Sequence, residues 1–82
     1  MTDKSKKRWD LTNVNVDGAY FVVLDKVSRR ERMHFVPGLE TVELSNEFAY
    51  ISTSTSKFML INLGSLHRKF INETEFSENT GS

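Results

Sequence analysis

Asp17-Gly18 stands between two apolar runs, Leu11 to Val16 and Ala19 to Leu24. Asp-Gly at such a junction is the preferred chemistry of a two-residue type I′ hairpin, whose two central residues both need positive φ. A turn closed that way puts Val16 opposite Ala19, Val14 opposite Phe21 and Thr12 opposite Val23. One face then collects Val14, Val16, Phe21 and Val23, and the other Leu11, Tyr20, Val22 and Leu24. A strand apolar on both faces belongs in the middle of a sheet or in a barrel wall. Asn13 and Asn15 place the first strand nearer an edge.

Turn signals recur along the chain at the spacing of short strands. Ser28-Arg29-Arg30-Glu31 is expected to cap a second hairpin, pairing Ala19 to Val27 with Arg32 to Val36, in a register that loop length leaves open. Pro37-Gly38 fits the two central positions of a type II turn. Leu39 to Leu44 then alternates, with Val42 and Leu44 on one face and Glu40 and Glu43 exposed. Glu47 to Thr53 and Lys57 to Leu63 read as a hairpin around Ser54-Thr55-Ser56. Phe58-Met59-Leu60-Ile61 is apolar on both faces, so the expected core comprises Phe21, Val23, Phe58, Leu60 and Ile61. After Gly64, Ser65 is a good N-cap and Leu66 with Phe70 an i, i+4 pair, so a short helix is expected over Leu66 to Ile71.

The expected fold is therefore mostly β with one short α-helix. It is a small antiparallel meander of five to six strands, barrel-like or strongly twisted. With 82 residues of which 38 % are hydrophobic, the chain has material for one domain. Met1 to Arg8 has no apolar residue after the first, and Ser77 to Ser82 has none. The expected division is a disordered basic arm over 1–8, a β-rich domain over 9–71 and a disordered polar tail over 72–82, in which Phe76 is the one side chain suited to docking.

Cysteine is absent, which excludes disulfides, thiolate metal sites and a cysteine nucleophile. The basic start has no apolar run behind it, and the longest apolar runs are far too short to span a bilayer, so the expectation is a cytoplasmic protein with no membrane partner. Asn72-Glu73-Thr74 matches a glycosylation pattern and is read as chance. His34 and His67 lack the neighbours a metal site needs, no phosphate-binding glycine loop or nucleophile motif is present, and no cofactor is expected.

Net charge is zero, yet residues 1–34 carry eight Lys and Arg against five Asp and Glu, and residues 35–82 carry three against six. Two basic clusters stand out: Lys4, Lys6, Lys7 and Arg8 beside the single tryptophan Trp9, and Lys26, Arg29, Arg30 and Arg32 around the second hairpin. The reading is a small non-enzymatic binding protein, a regulatory or accessory module working through protein–protein contact with another protein as partner. The alternative is a nucleic-acid-binding β module. Its hairpin tip and basic arm would touch phosphates while Tyr20, Phe35, Tyr50 and Phe58 supply a stacking face for bases. A contiguous positive face with an exposed aromatic would favour nucleic acid. A flat apolar patch beside an unpaired sheet edge would favour a protein.

Overall fold

The computed structural model describes residues 8–80. Seven strands appear in chain order: β1 Trp9–Asn15, β2 Tyr20–Asp25, β3 Arg30–Phe35, β4 Leu39–Ser45, β5 Phe48–Thr53, β6 Phe58–Asn62 and β7 Arg68–Ile71. The helix α1, Glu73–Thr80, follows. The strands form two antiparallel meanders, sheet 1 in the order β1-β2-β3 and sheet 2 in the order β4-β5-β6-β7. The fold of the described residues is thus mostly β, with seven strands where five or six were expected, in two antiparallel sheets that do not close into a barrel. Among the described residues no helix is long and apolar enough to cross a membrane.

The division into two sheets is made at Pro37-Gly38. Leu39 N–H donates to the Val36 carbonyl at 3.1 Å, and Gly38 has φ 77°. This is the type II turn that the dipeptide implies. Proline has no N–H for the ladder, so the chain leaves sheet 1 here and starts sheet 2. Val36 and Leu39, on either side of the corner, are both buried between the sheets. Ser54 N–H donates to the Gly38 carbonyl at 2.7 Å and ties the corner to the β5–β6 loop.

The hairpin at Asp17-Gly18 is built differently from the two-residue expectation. Asn15 pairs with Tyr20, which leaves a four-residue loop, Val16 to Ala19. The left-handed residue is Ala19, at φ 59°, while neither Asp17 nor Gly18 has positive φ. The reason lies one step earlier, where the Asn15 side-chain oxygen accepts the Gly18 N–H and organises the loop. The same device recurs. Asp25 Oδ1 accepts Val27 N–H at 3.0 Å and Ser28 N–H at 3.4 Å, and Arg29 is left-handed four residues on. Asn62 Oδ1 accepts Gly64 and Ser65 N–H at 2.9 Å each, and Leu66 is left-handed four residues on.

These Asx turns explain most departures from the expected boundaries. The second hairpin tip is Lys26 to Arg29, not Ser28 to Glu31, because Asp25 starts the turn, and Arg30 already pairs with Asp25. In the first hairpin Val14 pairs with Phe21 as expected. A bulge at Thr12 then puts Leu11 rather than Thr12 opposite Val23. A helix over Leu66 to Ile71 does not form. Leu66 is spent in a left-handed turn, and Arg68–Ile71 adds to the free edge of β6 as β7.

The core between the sheets holds Trp9, Phe21, Val23, Val36, Leu39, Ala49, Ile51, Ile61 and Leu63. Phe21, Val23 and Ile61 are fully buried as expected, and each full burial of such a side chain is worth about 1.5–3 kcal/mol. Phe58 and Leu60 are only half-buried, because they project from the outer face of sheet 2. Helix α1 covers that face over the segment expected to be an unstructured tail. Asn72 caps it, Oδ1 accepting Glu75 N–H at 2.7 Å, and Glu73 and Glu75 sit in the first turn where carboxylates favour the helix dipole. The Phe76 ring packs on Phe58 at 4.9 Å between centroids. Tyr50, on the same face, is left 7 % exposed.

Candidate functional site

The two basic clusters converge only in part. Lys4, Lys6 and Lys7 lie outside the described residues. Arg8 enters against the β2–β3 loop, where its Nε and Nη2 donate to the two Asp25 oxygens at 3.0 Å each. This bidentate contact, with the Val27 and Ser28 N–H groups, outweighs burial and holds the Asp25 carboxyl well below the usual carboxylate range. The Arg8 guanidinium also lies 4.8 Å from the Trp9 ring centroid. Trp9 itself is buried in the core and has no face free for stacking. Lys26 reaches Asp10 at 3.6 Å. Arg8, Trp9 and Lys26 therefore serve the fold at this end of sheet 1. Arg29, Arg30 and Arg32 are exposed and make no ion pair among the described residues.

Arg30 and Arg32 belong to β3, whose remaining side chains lead to an exposed apolar surface. The register puts Leu24, Val22 and Tyr20 of β2 beside Glu31, Met33 and Phe35 of β3 on the outer face of sheet 1. Asp10, Asn13 and Asn15 of β1 complete that face along its other side. Met33 is 65 % and Phe35 59 % exposed, whereas the matching face of sheet 2 lies under α1. No element covers the sheet 1 face among the described residues. Met33 is absent from the basic-residue reading of this segment, and Phe35 enters it only as an aromatic that could stack on a base. Their signal was the strict alternation with Arg32 and His34, whose direction the unsettled hairpin register concealed.

The inner side of β3 carries Arg30, Arg32 and His34. The His34 ring stacks on Phe21 at 5.0 Å and an interplanar angle of 19°. Its Nε2 is buried without a hydrogen-bond partner among the described residues. Burial, and then the charges of Arg68 and Arg32, push the His34 pKa below its ordinary value, so the ring is neutral and acts as an aromatic core residue. His67 is exposed beside Ser65. Among the described residues no group of three or more His, Cys, Asp or Glu side chains is placed to hold a metal ion.

β3 is also an edge. Val36 N–H donates to the Ala19 carbonyl at 2.8 Å, which makes Ala19–Val36 a hydrogen-bonded pair. Alternation along an antiparallel ladder then turns the N–H and C=O groups of Glu31, Met33 and Phe35 away from β2. One of these groups is partnered: Arg68 Nη1, from β7, donates to the Phe35 carbonyl at 2.9 Å. Arg68 thus reaches from sheet 2 to sheet 1 on this side, where no backbone ladder forms among the described residues. The arrangement offers directional backbone groups, an apolar face and unpaired guanidinium groups side by side. Comparison of the chain with protein-family models, with curated proteins and with solved structures finds no match.

Proposed function

We propose that this chain is a non-enzymatic binding module, a regulatory or accessory protein whose contact surface for another protein is the outer face of sheet 1. The observation that carries the reading is the contrast between the two sheets. The outer face of sheet 2 is roofed by α1, and that of sheet 1 leaves Met33 and Phe35 largely exposed beside the edge strand β3. A contiguous apolar patch bordered by polar residues is the usual mark of a protein contact. The nucleic-acid alternative has less support. Arg8 and Lys26 are paired with Asp25 and Asp10, Trp9 is buried, and Asp10 and Glu31 lie on the open face itself.

The test is site-specific photo-cross-linking in the native host. A benzophenone amino acid replaces Phe35, and a control chain carries it at Leu66, exposed elsewhere on the molecule. The reading expects protein adducts from position 35 that are insensitive to nuclease and absent from position 66. Adducts that vanish with nuclease, or that are the same from both positions, refute it.

A further inference from the structure

We propose that the outer edge of β3 is a strand-addition site, and that its occupant is an extended segment of a partner protein in which apolar residues alternate with carboxylates. This rests on the reading of the sheet 1 face as a protein contact, and adds the partner's conformation and chemistry.

The two sheets have four edge strands, and they are not equally open. β1 has a bulge at Thr12 and β4 a bulge at Glu40, each of which bends the edge and interrupts its row of groups. β7 is four residues long. Short strands and bulges are the standard protections against unwanted pairing. β3 has neither and is guarded by its charges alone, Arg30, Glu31 and Arg32: it is six residues long, contains no proline, and keeps an unbroken register from Arg30 to Phe35. Its outward groups are those of Glu31, Met33 and Phe35, and among the described residues only the Phe35 carbonyl is occupied, by Arg68. An added strand would pair with the rest.

The side chains beside this edge specify what the added strand must carry. On the outer face its residues would meet Met33 and Phe35, with Val22 and Tyr20 behind them. On the inner side they would meet Arg30 and Arg32, which have no ion-pair partner among the described residues, and Arg68 of β7. Because side chains alternate along a strand, the complement is a period of two, apolar on one side and acidic on the other. Charge also argues against a second copy of this chain as the occupant. β3 against β3 would gather four arginines along one seam, where like charges repel.

The probe is a fluorescein-labelled hexapeptide alternating valine and glutamate, compared with one alternating valine and lysine. The glutamate peptide is expected to bind saturably by fluorescence anisotropy, with amide shifts and exchange protection at Glu31 and Met33. Met33→Pro removes an outward N–H and no bond to β2, so it should keep the fold's melting temperature yet weaken binding at least about tenfold. Arg30→Glu with Arg32→Glu should transfer the preference to the lysine peptide. Equal binding by Met33→Pro, or shifts confined to β1 or β7, would overturn the proposal. So would a concentration-dependent dimer abolished by Met33→Pro, which would identify a second copy as the occupant. Cross-links from position 35 that persist when the glutamate peptide does not bind reject the edge site and leave the contact face standing. Peptide binding at Glu31 and Met33 without such cross-links rejects the face alone.

Discussion

Removing the Phe76 ring tests the least expected feature of the fold, the packing of α1 on sheet 2. No residue of α1 is fully buried; Phe76 is half-buried and makes the aromatic contact with Phe58. A phenylalanine buries about 150–250 Å² when fully enclosed, so half of that at about 25 cal/mol per Å² is worth about 2–3 kcal/mol, an upper bound. An eight-residue helix is not stable alone in water. Once Phe76→Ala frees it, the helix should melt, and the freed chain entropy offsets part of the loss. The expected cost is about 2 kcal/mol, or about 8–16 °C in melting temperature for a domain of this size. Truncation after Ile71 should cost about the same, since both changes remove the same docked element. Phe58→Ala should also cost about 2 kcal/mol, less than the roughly 3–5 kcal/mol of a core phenylalanine, because Phe58 is only half-buried. In the double variant the losses should fall short of additivity by about 1 kcal/mol, the energy the two rings share. Urea and thermal unfolding of the parent chain and the four variants, with helix content from circular dichroism, measure all of this. An unchanged melting temperature in Phe76→Ala and in the truncated chain, or full additivity in the cycle, would refute the packing of α1.

Three further outcomes follow from particular residues. The His34 pKa is lowered on folding, so the unfolded chain binds the proton more tightly. Stability should be full above the ordinary histidine value and fall as pH drops below it, and His34→Leu should lose that dependence in denaturant titrations at stepped pH. Gly18→Val should destabilise by more than about 1 kcal/mol through crowding rather than backbone strain, since an added Cβ lies 2.8 Å from Tyr20 Cε2 and 2.9 Å from Asn15 Oδ1. Ala19→Gly, at φ 59°, should instead stabilise the fold by about 1 kcal/mol in denaturant unfolding, and a loss of stability there would refute the loop geometry.

Local chemistry in the sequence determined the strand content, the Pro37-Gly38 turn and the central place of Tyr20–Asp25. Each depends on neighbouring residues alone: φ restricted by proline, positive φ supplied by glycine, apolar side chains on both faces of one run. The turns at Asn15, Asp25 and Asn62 were legible in principle, through an Asx residue ending a strand, but Asp17-Gly18 and Ser65 are stronger local signals and point elsewhere. Tertiary structure decided what several segments became. Leu66 to Ile71 has a helical pair, yet Arg68–Ile71 became a strand, because β6 offered an unpaired edge and Asn62 had already turned the chain through Leu66. Asn72 to Thr80 is too polar to fold alone and became a helix, because the outer face of sheet 2 gave Phe76 something to cover. The candidate site divides in the same way. Arg30 and Arg32 are visible as charges in the chain, whereas the loss of Arg8 to Asp25, the burial of Trp9 and the pairing of Met33 and Phe35 with an open edge follow from register. A strand places its side chains by a period of two, so a shift of one residue decides which of them meet a partner, and that shift was set by contacts distant in the chain.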